Sequence, residues 1–169
     1  MNIHNYLIAQ DGIDFRRMFG NWRWLLSGGF TVWLINRFGD VFAVQKDGTV
    51  WWLALDAGTF TKIAESKDEF GKAAESEDRV NDWLMIPLVD RLVAAGKTLG
   101  PKECYAFRQL PILGGDYVVE NVTIRNLEEQ YAALGPIYEK LKNVPDGTKV
   151  TFSFENEDTE NEDTVRDRE

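Results

Sequence analysis

The chain has 169 residues, one cysteine, one histidine and a formal net charge of −9 at pH 7. That length suits a single sizeable core, and 44% hydrophobic with 28% charged residues is the composition of a globular protein. The negative charge argues against nucleic acids and anionic membranes as partners and favours a basic protein.

One cysteine cannot form an intramolecular disulfide, which suits a reducing cytoplasm. Residues 1–20 show no basic stretch leading into an apolar one, so no secretory signal is predicted. The run "FTVWLINRF" is interrupted by Asn36 and Arg37 and is too short to cross a bilayer.

In chain order, Phe15, Met18, Phe19, Trp22, Leu25 and Leu26 recur at helical spacing, weakened at Gly20 and ended at Gly28-Gly29. Strand-like runs follow at 31–38, 41–45 and 49–55, then "TFTKIA", separated by Gly39-Asp40, Lys46-Asp47-Gly48 and "DAG". Turn residues between β-rich runs predict a meander. Its adjacent Trp51 and Trp52 must point to opposite faces. Either helices cover both faces of the sheet, or one tryptophan is exposed as a contact.

Ser66 to Glu69 has capping-box spacing and opens a short helix. "DRVNDWLMIPLVDRLVAAG" places Val80, Leu84, Leu88 and Leu92 on one face, and Pro87 kinks that helix or begins a second one. Gly96 ends it. "ECYAFR", 103–108, alternates like a strand, and "YVVENVTI" reads as extended. Asn126 and Glu129 start a helix carrying Leu127, Tyr131, Leu134, Tyr138 and Leu141, with a kink expected at Pro136. "PDGT" turns the chain into "KVTFSF".

The segment 155–169 holds eight acids, two arginines and one apolar residue, Val165, so it carries −6 of the −9. It is predicted to be a disordered acidic tail. The expectation is thus one α+β domain over 1–154, a mostly antiparallel sheet with helices packed on it, followed by that tail.

Catalytic signals are sparse. His4 lies near a terminus, and Cys104 sits in a strand-like run with no local base, so a small buried hydrophobe is the simpler reading than a thiolate. One histidine and one cysteine exclude the common zinc ligand sets, and no cofactor or metal is predicted. The carboxylates could in principle supply a hydrolase pair. In "LPILGGDY", Gly114 and Gly115 are expected to supply positive φ angles, with Asp116 bonding a backbone N–H. A phosphate cradle needs a helix after the glycines. This stretch is therefore read as a structural corner.

The motifs "WRWLLSGGF", "NRFGDVFAVQKDGTVWWLALDAGTFTKIAESKDEF", "GPKECYAF" followed by "PILGGDY", "ENV" and "VPDGTKV" occur in an order that resembles a known family. It is the bacterial domain of unknown function at the C-terminal end of type VI secretion immunity proteins. The resemblance covers about residues 20–150. It implies a non-enzymatic, cytoplasmic protein that binds and silences a cognate DNase effector. Trp51 and Tyr117 are the candidate contacts with that toxin, since buried aromatics dominate interface energetics. A carboxylate hydrolase and a ligand-binding or scaffold domain are the alternatives, and a deep pocket with paired buried acids would favour the hydrolase.

Overall fold

The computed structural model describes residues 1–144. The expected "PDGT" turn, the "KVTFSF" strand and the acidic tail lie outside the described residues.

The meander forms a four-stranded antiparallel sheet of β1 (Phe30–Ile35), β2 (Val41–Gln45), β3 (Val50–Ala54) and β4 (Thr59–Ala64), in that order. Both faces are covered. Val41, Ala43, Leu53 and Leu55 face the C-terminal helix α5 (Leu127–Leu141) and the N-terminal segment, packing with Met18, Trp22, Leu127, Tyr131 and Tyr138. Phe42 and Val50 face the opposite way, onto Phe70 of α2 (Lys67–Ala73) and Val80, Trp83 and Leu84 of α3 (Glu77–Leu84). Strand alternation alone produces this division. The register of β1 slips between Val32 and Leu34, so Trp33 and Leu34 both reach the α2–α3 side.

A second antiparallel pair, β5 (Glu103–Phe107) and β6 (Val122–Asn126), packs with α4 (Ile86–Ala94) around Leu88, Val89, Leu92, Tyr105 and Val122. The architecture is α+β. Two side chains cap the helices as expected: Ser66 Oγ accepts from Glu69 N at 3.1 Å, and Asn126 Oδ1 accepts from Glu129 N at 3.0 Å. The Glu69 carboxylate departs from the predicted box and takes the Glu65 N–H instead.

Residues 15–26 do not form one helix. A single turn, α1 (Phe15–Met18), is followed by a 3-10 turn at Gly20–Trp22, although every apolar residue named for that face does reach the core. The break lets residues 20–22 cross α5 closely. At Gly135 an added Cβ would stand 2.5 Å from the Asn21 carbonyl oxygen, which is why glycine occupies the middle of that helix.

Two prolines are accommodated in the same way. Pro136 lies inside α5 and cannot donate to the Ala132 carbonyl, which accepts from Asn21 Nδ2 at 3.0 Å. Pro87 opens α4 as a separate helix after left-handed Met85 (φ 51°). The carbonyl four residues before it, at Trp83, accepts from Asn36 Nδ2 at 2.8 Å. In each case an asparagine amide replaces the missing backbone donor.

Asn36 is fully buried, and its Oδ1 also accepts from Phe38 N and Asp40 N, both at 3.0 Å. Asn36→Ala therefore orphans three buried groups at about 1–3 kcal/mol each and should cost at least ~3 kcal/mol in denaturant unfolding. Asn21 is exposed, so water can replace its bond, and Asn21→Ala should cost ~1 kcal/mol or less.

Candidate partner-docking site

The connection from β5 to β6 is a fourteen-residue loop, 108–121, held shut by one side chain. Asn121 Oδ1 accepts from Gln109 N at 2.9 Å, while its Nδ2 donates to the Gln109 and Asp116 carbonyls, each at 2.9 Å. Arg108 N adds a 2.8 Å bond to the Asn121 carbonyl, and Gln109 Nε2 reaches Leu113 O at 3.0 Å. The loop is thus stapled at both ends and braced across the middle. Leu110 anchors it by packing on the main core.

The glycines divide their work differently from the expectation. Gly114 adopts φ +92° after the 3-10 turn Pro111–Leu113, a left-handed conformation that favours glycine. Gly115 does not have a positive φ. Its constraint is contact, since an added Cβ would fall 1.9 Å from the Gln109 carbonyl oxygen. Asp116 takes part through its backbone carbonyl, which accepts from Asn121, rather than through its carboxylate. The stretch expected to be extended after Tyr117 contains a 3-10 turn at Val119–Asn121 before β6 begins.

The loop carries unusual apolar exposure. Among the described residues the exposed large hydrophobics are Met1, Val93, Ile112 (49%), Tyr117 (46%) and Val118 (42%), so three of the five fall between positions 112 and 118. Tyr117 is fixed as well as exposed. Its hydroxyl donates to Asp56 Oδ2 at 2.6 Å, and its ring meets Phe107 edge-on at 5.2 Å. Partial burial, then the bond to Asp56, raises its pKa above the usual phenol value.

Trp51 occupies a different place. It is half-buried on β3, packs on Phe60 at 5.3 Å, and donates from Nε1 to Thr49 Oγ1 at 2.9 Å. Its neighbours are not those of Tyr117, so the two aromatics are separate candidates rather than one cluster. Periodicity singled out neither Ile112 nor Val118. Their signal was a run of apolar residues placed among turn-forming ones in "PILGGDYVV".

Beneath the loop lies an acid pair that sequence reasoning also missed. Asp40 is fully buried, accepting from Leu55 N at 2.8 Å and Trp52 Nε1 at 3.1 Å. Burial, and then the charge of nearby Asp56, push it up to about 7. The cavity touching both acids, lined also by Phe38, Met85, Leu110 and Gln130, measures about 10 Å³. That holds one water at most, not a sugar or peptide. Both Asp40 oxygens are engaged by the protein, so the pair fits a structural role.

Elsewhere, burial pushes the Cys104 thiol up to about 12, which leaves it protonated and unreactive. His4 lines a groove of about 840 Å³ together with Arg37 and Lys102. Among the described residues no group of three His, Cys, Asp or Glu side chains could hold a metal ion. No described helix is long and apolar enough to cross a membrane.

The stapled loop and its apolar display fall inside a recognisable segment. Residues 64–137 match the family model of the C-terminal part of the type VI secretion immunity protein Tdi1. No curated protein matches the chain. The matched segment starts at the last residue of β4, runs through α2–α4, β5, the loop and β6, and ends within α5. It is narrower than the span expected from the motifs. The whole 108–121 loop and Tyr117 are within it; β1–β3 and Trp51 are not.

Gly115→Ala drives a methyl into a backbone carbonyl and should destabilise by about 1–3 kcal/mol, whereas at Gly114 the methyl makes only an ordinary 3.9 Å contact with Gln109 Nε2 and Gly114→Ala carries the cost of a left-handed residue, ~1 kcal/mol. Thermal melts of the two variants make the comparison.

Asp40 gives a pH dependence. Its folded pKa of about 7 lies above the ordinary carboxylate value of 3.8, so the folded chain retains a proton that the unfolded chain releases. Its contribution is full below the lower value, declines as pH rises, and is gone above the higher one. The melting temperature should fall between about pH 4 and about pH 7, and Asp40→Asn should flatten that fall.

Proposed function

We propose that the chain is a cytoplasmic, non-enzymatic immunity protein that binds a cognate secreted toxin, a nuclease, through loop 108–121. One observation carries this reading: Ile112, Tyr117 and Val118 are exposed on a loop that Asn121 staples, inside the segment that matches the immunity family. A braced loop loses little conformational freedom on docking, and its apolar side chains supply a desolvated contact centre. The bond to Asp56 presets the Tyr117 ring for such a contact.

The net charge of −9 supports a basic partner, because nuclease surfaces that handle polyanions are positive and an acidic binder is steered to them. Trp51, half-buried on the interior strand β3, is a second candidate contact. The toxin is held in a stoichiometric complex and is not chemically altered.

The test mixes the purified protein with the toxin encoded beside its gene. Titration should reach full inhibition at equimolar protein, and the toxin's mass should stay unchanged. Ile112→Asp and Tyr117→Ala should each speed dissociation about tenfold or more, equivalent to ~1.4 kcal/mol. Added salt should slow association. Inhibition at catalytic amounts, or a cleaved or modified toxin, would mean an enzyme instead.

A further inference from the structure

A second groove, of about 490 Å³, lies between the N-terminal segment and the start of β1, lined among others by Phe15, Arg16, Phe19, Arg23, Leu26 and Phe30. Its floor is aromatic. Phe15 stacks on Phe19 at 6.1 Å, and Phe30 meets Phe19 edge-on at 5.6 Å. Arg16 and Arg23 are exposed at its walls, and Arg17 is exposed beside them on α1. Among the described residues the sole ion pair is Lys62–Glu65, so none of these arginines has a carboxylate partner there. On a chain of net charge −9, two unmatched arginines at the walls of a phenyl floor, with a third next to them on α1, are a local reversal of sign.

The position of the last described residues bears on what can reach this groove. Just after α5, Lys142 places its ammonium 5.1 Å from the centre of the Trp24 ring, and Trp24 directly follows Arg23 in the sequence. Leu141 and Leu26 join the same hydrophobic cluster. Lys142, two residues before Val144, thus reaches the residue beside Arg23 at the groove wall. Ten residues lie between Val144 and Glu155, and the eleven steps from one to the other can reach ~36–40 Å when extended.

We infer that this groove is a docking site for the chain's own acidic segment, 155–169. Its eight acids face three arginines, and its one apolar residue, Val165, has Asp163 and Asp167 two positions away on either side. That spacing sets a carboxylate on each flank of an apolar contact, as Arg16 and Arg23 flank the phenyl floor. Exposed ion pairs are individually worth only ~0–1 kcal/mol. Tethering offsets this weakness, since a short linker holds the segment at an effective concentration in the millimolar range.

The experiment uses the full chain with Glu160→Cys carrying a nitroxide. Buried Cys104 should not react, so the label is selective. Backbone amides of residues 15–30 should broaden more than those of α4. That broadening should vanish in the Arg16→Glu/Arg23→Glu variant and in about 1 M salt, where the screening length is ~3 Å. Arg16→Lys/Arg23→Lys should retain it. All three variants should melt at the same temperature, because both positions are exposed. Broadening that is absent, evenly spread, or indifferent to the charge reversal would overturn the assignment. Toxin binding plays no part in the measurement.

Discussion

The fold depends on a turn that is buried. Residues 36–40 connect β1 to β2, yet Asn36, Phe38, Gly39 and Asp40 are all inaccessible to water. Every polar group on such a turn must find a protein partner, because an unsatisfied buried donor or acceptor costs about as much as a lost hydrogen bond. The partners come from the whole molecule. Asn36 reaches Trp83 in α3, Asp40 holds Leu55 N and Trp52 of β3, the Tyr131 hydroxyl of α5 donates to Gly39 O, and Tyr105 N of β5 donates to Arg37 O at 2.8 Å. Satisfying one turn thereby fixes how two sheets and two helices meet.

That dependence explains which parts of the fold were legible in the sequence. The meander, the caps at Ser66 and Asn126, and the stripe on α5 are local features, written in alternation, spacing and capping chemistry, and they are found where expected. Gly39-Asp40 was legible as a turn. Its burial was not, because burial is decided by α3, α5 and β5 arriving from distant parts of the chain. The N-terminal segment shows the same limit. Spacing identified the face that Met18 and Trp22 bury, but not the break at residues 19–22, which exists because Asn21 and Trp22 bond to the Ala132 and Tyr131 carbonyls of α5. At the candidate site the corner at Gly114 was legible, whereas the reason for Gly115 was not. A carbonyl 1.9 Å from a hypothetical methyl leaves no mark on local propensity.

The family match begins at residue 64, but the matched segment does not complete its own core. Leu127, Tyr131 and Leu134 of α5 pack on Ile35, Val41, Leu53 and Leu55, all upstream of the match. Phe70, Trp83 and Leu84 likewise close against Phe42 and Val50. Upstream residues also supply the polar complements: Asn21 and Asn36 take the carbonyls that Pro136 and Pro87 leave without donors. A proline in or beside a helix normally carries a penalty. Here each helix irregularity is paired with an asparagine from the N-terminal half, so the two regions are mutually dependent in hydrogen bonding as well as in packing.

The same interdependence leaves one region available to display side chains. Loop 108–121 draws its order from Asn121 and Gln109 and from the half-buried anchor Leu110, so Ile112 and Val118 are not needed to hold it closed. A loop ordered by its own backbone bonds can present Ile112 and Val118 to solvent without losing its shape. A loop ordered by burying those residues could not. Tyr117 lies between these limits, since its ring lies against Phe107 and its hydroxyl against Asp56 while almost half of it remains exposed. Asp56 in turn shares its surroundings with Asp40, whose proton is held first by burial and then by that neighbouring charge. A contact that covered Tyr117 and Asp56 would remove solvent screening from both carboxylates and strengthen their repulsion. A cation brought to the same spot would relieve it. The exposed face of the loop therefore sets an apolar surface beside an acidic one, where positive charge relieves a repulsion that covering alone would strengthen.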